Sequence, residues 1–167
     1  MDYQLRQATP DDAEAVVHLH TLAHEQAYAH LMSADFFRSR RASIPERVER
    51  RRPYLAVDEP RIIALDADNR LVGLADAGPP RDDDGPEDLE LYSIFTLDHT
   101  HGTGLGAALL EAAIGGSAAY LWVLAENPRA FAFYAKHGFR PDGKTGLLPP
   151  EWEKVPELRM TRPAVGR

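Results

Sequence analysis

Three glycines alternate in His101-Gly102-Thr103-Gly104-Leu105-Gly106. Without a Cβ, a backbone can come close to a ligand and point free N–H groups at it. The run follows an apolar stretch, residues 89–97, that reads as a strand, and it opens a helical pattern at Leu105. The start of a helix adds a partial positive charge. Strand, glycine loop and helix start together make a phosphate cradle. The segment also satisfies the dinucleotide pattern G-x-G-x-x-G/A through Ala107, and Glu126 lies 20 residues beyond Gly106, where a ribose-binding acid belongs. Against a nicotinamide-type oxidoreductase, four residues (Asp98 to His101) separate the strand from the first glycine. About 90 residues precede the motif and only some 40 follow Glu126, too few to finish a doubly wound sheet. A bare glycine turn joining strand to helix is the third reading of the loop alone.

Other residues carry chemistry by type and spacing. Asn127-Pro128 is a helix start, with Asn as cap and Pro at the first helical position. Tyr134 falls seven residues after Asn127, two helical turns on and therefore on the same face. His20 and His24 are four apart on a helix, a spacing open to a metal pair, and His18 and His30 lie nearby. No carboxylate motif accompanies them, so no metal is expected, and lining a cleft or the surface is the reading. The chain has no cysteine, which removes disulfides, thiolate–metal sites and a cysteine acyl-enzyme. Arginines cluster at 38–41 and 47–52 and read as solvated helical faces rather than an anion site.

The elements that must position these residues follow from local signals. Residues 3–7 alternate as a first strand, and Thr9-Pro10-Asp11-Asp12 starts a helix carrying Ala13, Val16, Val17, His20 and Ala23. Residues 28–44 show no clear period, and Pro45 starts a second helix to about Tyr54. Residues 61–65 and 71–77 flank Asp66-Ala67-Asp68-Asn69 as a hairpin. Residues 78–87 are a Pro-rich, acidic loop. On residues 89–97, Glu90, Tyr92, Ile94 and Thr96 should share one face. The glycine-loop helix should bury Leu105, Ala108, Leu109 and Ala112 and stop at Gly115-Gly116. After Phe139 a Pro/Gly-rich loop leads to a closing strand at 156–161.

Length bounds the rest. A chain of 167 residues fits one domain, 1–167, with a real core. No run of about 18 apolar residues is present and the first residues are too polar for a signal peptide, so a cytoplasmic location and no membrane partner are expected. A net charge of −7 argues against nucleic acid.

The stretch from 90 to 139 resembles the core of the GNAT N-acetyltransferase superfamily. The family's acyl-CoA signature, Arg/Gln-x-x-Gly-x-Gly/Ala after a strand, corresponds to His101 through Gly106, with His101 where the family prefers Arg or Gln. Glu126-Asn127-Pro128-x-Ala130 and Phe133-Tyr134-x-Lys136-x-Gly138-Phe139 complete the resemblance. It implies an α/β fold: a mixed, mostly antiparallel sheet with a splayed strand pair and helices on both faces. It implies that the backbone of Ile94, Phe95 and Thr96 bonds the pantetheine arm and that His101, Gly102, Thr103, Gly104, Leu105 and Gly106 hold the phosphates. Asn127 would bond the CoA arm, and Tyr28 and Phe36 would lie on one wall of the acceptor site.

The chemistry implied is direct transfer of an acetyl group from acetyl-CoA to a primary amine of a small molecule, or of a peptide or protein, in a ternary complex. Tyr134 is the expected general acid toward the thiolate, because a phenol is protonated at pH 7. Glu90 is the expected general base, acting through water, with Asp84, Glu87 or solvent as the alternatives. Acidic residues around 82–90 should favour a cationic acceptor. Family members are often dimers, which makes a homodimer one expected assembly. A non-catalytic acyl-CoA-binding module is the alternative, marked by an acceptor cleft closed by Tyr28, Leu31 and Phe36.

Overall fold

A computed structural model describes residues 2–166. Strand β1 (Gln4–Gln7) leads through a short 3-10 turn (Pro10–Asp12) into α1 (Ala13–Tyr28). The Thr9 start works through Asp12, whose carboxylate accepts from the Thr9 N–H at 2.8 Å and pairs with Arg6 at 2.8 Å. Helices α2 (Ala34–Ala42) and α3 (Ile44–Tyr54) follow. The region expected to be irregular is therefore largely helical. Its start is set by Ser33, whose hydroxyl accepts from the Phe36 N–H at 3.1 Å. Only Phe36 and Phe37 are buried on α2, too few to show a period.

Strands β2 (Arg61–Leu65) and β3 (Leu71–Gly78) form the expected hairpin. Asp66 shapes its turn by accepting from the N–H groups of Asp68 and Arg70, each at 2.9 Å. Next come β4 (Glu90–Thr96), α4 (Leu105–Ile114), β5 (Ala119–Leu124), α5 (Pro128–Lys136), β6 (Arg140–Leu147) and β7 (Pro156–Arg162). The tail expected as a loop thus contains a strand. Pro141 and Gly143 are tolerated because β6 is the sheet edge and its register jumps between Pro141 and Thr145.

The seven strands form one sheet in the order β1-β2-β3-β4-β5-β7-β6. Every neighbouring pair is antiparallel except β4 and β5. A doubly wound parallel sheet is not formed, which removes the dinucleotide reading. The parallel pair is in register only at Glu90↔Tyr120. Beyond that point the two strands diverge and a wedge opens through the sheet.

A bulge sits beside the wedge. Asp76 pairs with Ser93 and Ala77 with Leu91, so Tyr92 is an extra residue on β4. The bulge breaks the alternation that should have put Glu90 on one face with Ile94 and Thr96.

Both faces of the sheet are covered. On one, Leu105, Leu109, Leu110, Ala113 and Ile114 of α4 pack against Val72, Ala75, Ala77 and Leu91. Ala108 and Ala112 are exposed, so α4 is rotated from the expected phase. A Cβ on Gly73 would come within 2.9 Å of Leu109 Cδ1 and 3.3 Å of Phe95 O, so α4 lies close over β3 at this glycine. On the other face, Val16, Val17 and Leu19 of α1 and Val48 of α3 pack on Ile63 and Leu74. No described helix is long and apolar enough to cross a membrane.

Candidate active site

The wedge widens into a cleft of about 1160 Å³ running from α1 and α3 to the glycine loop. At the loop end, Gly102 and Gly104 have φ of +78° and +89°. L residues other than glycine are strained there. A Cβ at either position would meet no heavy atom within 4 Å, so the backbone borders open space that a side chain would fill. The first amides of α4 have no partner within the helix and open onto the same space. Gly106 serves packing instead, since a Cβ there would lie 3.3 Å from the Phe133 ring and its absence lets α4 and α5 close up. The Thr103 side chain is turned outward, donating to Thr100 O at 2.6 Å and accepting from Tyr3 at 3.2 Å. His101 lines the cleft, and burial followed by the nearby Arg129 holds its imidazole below the usual value. Arg129, at the start of α5, borders the cleft as well and was not anticipated from the sequence.

Midway, Ile94, Phe95 and Thr96 line the wedge with no β5 partner opposite them. Their backbone edge is the kind of surface an extended chain can join. Asn127 caps α5, its Oδ1 accepting from the Ala130 N–H at 3.2 Å, and its side chain is also hydrogen-bonded to Tyr28. Tyr134 shares this corner. Burial first, then nearby Tyr28, push its phenol well above the usual range, so it stays protonated. The Tyr28 phenol is pushed up to about 12 by burial, against the bond to Asn127. The fold thus brings His101, Gly102, Gly104, Leu105, Gly106, Ile94 to Thr96, Asn127, Tyr134 and Tyr28 together on the cleft, while the Thr103 side chain is turned away from it.

Three expectations are corrected. Glu90 is 1% exposed and does not line the cleft. It sits where β4 and β5 still touch, accepting from Arg81 N at 2.8 Å, Arg81 Nη2 at 2.6 Å and Tyr120 Oη at 3.0 Å. Such a carboxylate closes the base of the wedge and reaches no acceptor. Phe36 does not line the cleft; it is buried against Phe37 and against Trp152, each at 5.2 Å between ring centroids, and it is Trp152 that borders the space. The acidic loop also turns elsewhere: Asp82 accepts from Trp122 Nε1 at 2.8 Å, and Asp84 pairs with Lys144.

The far end of the cleft is built around Asp76, given no role in the sequence, and around His20 and His24, which line the cleft as one of the two sequence readings had it. Asp76 of β3 is 7% exposed and borders the cleft at the bulge. Ser93 Oγ donates to it at 3.3 Å and Arg51 Nη1 at 3.4 Å. Burial raises its pKa, against the pull of Arg51 and Arg61. The signal was a lone charge inside the small, apolar strand Leu71–Gly78. His20 and His24 stack edge to face at 4.2 Å beneath this end. Burial first, then neighbouring charges, depress both; His24 falls to about 3, with Arg40, Arg47 and Arg51 as those charges. Both imidazoles are neutral at pH 7. The two arginine clusters are not merely solvated, because Arg40, Arg47 and Arg51 turn into the cleft.

Comparison with known proteins agrees with this geometry. Residues 13–139 match the model of the Acetyltransferase (GNAT) family. An uncharacterized N-acetyltransferase of Mycobacterium tuberculosis is 36% identical over 96 residues, 54% of this chain and 59% of that protein. The alignment thus spans under two thirds of that relative's length. An uncharacterized N-acetyltransferase of Bacillus subtilis is 26% identical over 137 residues, 78% of this chain and 77% of that one. Among solved structures, an acetyltransferase from Thermus thermophilus is 26% identical with a TM-score of 0.64, covering 98% of this chain and 97% of that one. The PaiA N-acetyltransferase of Thermoplasma acidophilum, solved with coenzyme A, shares the fold at a TM-score of 0.68 and 18% identity, covering 98% and 99%. With the splayed strand pair, the glycine loop and the family match over residues 13–139 in agreement, the chain belongs to the GNAT acetyltransferase family.

Proposed function

We propose that the protein transfers an acetyl group from acetyl-CoA to the primary amine of a small molecule, with donor and acceptor bound together. The observation that carries this is the continuous cleft joining the open glycine cradle to the unpaired edge of β4 and on to Asp76. The residues fit coenzyme A: the Gly102–Gly104 backbone and the start of α4 face its diphosphate, and the edge of Ile94–Thr96 its amide-bearing arm. The solved relative with coenzyme A bound supports the assignment. When bound, acetyl-CoA supplies the thioester from which the acyl group leaves.

The chain's own residues meet the two proton problems of this reaction. Tyr134 keeps its proton at neutral pH and donates toward the sulfur side of the wedge. Asp76, with a pKa raised by burial, takes the proton from an alkylammonium that arrives charged. Glu90 holds the strands at the base of the wedge and stays out of the chemistry. No cysteine is available for a covalent acyl intermediate of that type, which favours direct transfer. Of Tyr28, Leu31 and Phe36 only Tyr28 borders the cleft, so the three do not close it together, which favours turnover over a purely regulatory module.

Initial-rate measurements of thiol release from acetyl-CoA, varying both substrates across a panel of primary amines, test the reading. Amine-dependent release with intersecting double-reciprocal lines is expected. Acetyl-CoA binding with no amine-dependent release from any member of the panel would favour the binding module.

A further inference from the structure

The acceptor end of the cleft carries more positive charge than the transfer of an acetyl group requires. Arg47 and Arg51 are one turn apart on α3 and so share a face, and Arg40 joins them from the end of α2. Arg47 is 7% exposed. Its Nη1 donates to Thr21 Oγ1 at 2.7 Å and to Arg40 O at 3.2 Å, while its Nη2 is buried and donates to nothing. Arg40 lies over Trp152, with Cζ 4.7 Å from the ring centroid, and its Nε is likewise buried without an acceptor. The neighbouring His24 Nδ1 is a third buried polar atom without a partner. Among the described residues no carboxylate reaches ion-pair distance of Arg40 or Arg47.

Two carboxylates do face this half of the cleft. Asp76 is engaged by Arg51 and Ser93. Glu157 comes from β7, where Arg81 is the positive group acting on it. Neither neutralises Arg40 or Arg47, and each of these two guanidiniums is held below its usual pKa by burial and then by other arginines. Burying like charges with unsatisfied donors is costly unless an anion arrives to pair with them. A chain with a net charge of −7 nevertheless gathers arginines here that no carboxylate of its own neutralises.

Resting on the acetyltransferase reading above, we infer that the acceptor is an amine that also carries an acidic group, a carboxylate or a phosphoryl group, and that Arg40 and Arg47 hold this group while the amine lies toward Asp76. The guanidinium fork suits both anions, since each offers two oxygens to parallel N–H donors. Arg51 links the two ends, touching Asp76 on one side and His20 Nδ1, at 3.3 Å, on the other.

Calorimetric titration of the CoA-loaded protein tests this without requiring turnover. The probes are L-methionine against methioninamide and phosphoethanolamine against ethanolamine. In at least one pair the acid should bind about tenfold or more tightly than its neutral partner, as expected for loss of a charge-assisted contact. The methionine pair alone would assign a carboxylate, and the ethanolamine pair alone a phosphoryl group. Arg40→Gln should cut the preference at least about fivefold while leaving CoA affinity unchanged. Arg47→Lys, which keeps one charge but loses the fork, should do the same if Arg40→Gln fails to fold. Neutral amines binding as well as acids, a preference that survives both variants, or no binding of any acid would overturn the inference. Acids that bind but are never acetylated would keep the anion site and remove the acetyltransferase reading. Amine-dependent thiol release indifferent to acceptor charge would do the reverse.

Discussion

Replacing Glu90 with glutamine separates a structural carboxylate from a catalytic one. Glu90 is 1% exposed and accepts from Arg81 N, Nε and Nη2 and from Tyr120 Oη, at 2.8, 3.1, 2.6 and 3.0 Å. Glutamine keeps the shape, but it loses the charge and points a donor at groups that are themselves donors. Breaking a fully buried pair costs about 3–5 kcal/mol. The Arg81 side chain is 60% exposed and regains water when released. The loss should therefore sit lower, at about 2–3 kcal/mol. With a urea slope of about 2 kcal/mol/M, the unfolding midpoint should fall by about 1–1.5 M. Transfer should barely notice: kcat should stay within about threefold of wild type, with the same inflections in its pH profile. Urea unfolding followed by circular dichroism and a pH–rate series on the same variant read both quantities. An unchanged midpoint together with a hundredfold loss of kcat and a lost acid-side inflection would refute the argument and restore Glu90 as the base.

Tyr134→Phe removes the protonated phenol and keeps the ring, so kcat should fall about a hundredfold with CoA affinity unchanged; equal turnover in steady-state assays would exclude Tyr134 as the acid. Asp76→Asn should lower kcat by a similar factor and flatten the acid side of the profile. As a base with a raised pKa, Asp76 acts above that pKa and fails as pH falls through it; a variant that keeps the acid limb would remove it from the role. Stability should also drop in acid. His20 and His24 are buried and neutral, with folded pKa values below the ordinary 6.5, and His24 is near 3. The unfolded chain therefore binds more protons below pH 6.5, down toward 3 for His24, and each imidazole removes up to about 1.4 kcal/mol per pH unit between 6.5 and its own folded pKa. Asp76 works in the opposite direction, so the net slope should be smaller than the two imidazoles alone would give. Urea midpoints at pH 7 and pH 5 check the sign, and a midpoint that rises on acidification would contradict it.

Local chemistry was legible in the sequence because it is local in the chain. The glycine alternation requires left-handed φ within three residues, and Asn127 finds its amide within the first turn of α5. Those features place the cofactor half of the cleft. The acceptor half depends on contacts across the chain, which no single stretch reveals. Tyr92 looks like an ordinary alternating strand residue, yet the β3 register makes it a bulge and turns Glu90 away from Ile94. Arginine occupies so many positions of α2 and α3 that no stripe shows which face is buried. Only packing against Thr21 and Trp152 selects Arg47 and Arg40. Phe36 was misassigned for the same reason: an aromatic in a weakly patterned stretch carries no address until Trp152 packs beside it.

One titration tests the central claim most directly: acetyl-CoA into wild-type protein and into Gly104→Asp, each shown to be folded by circular dichroism. Gly104 stands at φ +89° with open space where a Cβ would project. The added carboxylate would fill the cradle and repel the diphosphate. The account predicts micromolar binding by wild type and at least about a hundredfold weaker binding by the variant. Equal affinity in the two proteins, or no heat from wild type, would contradict it.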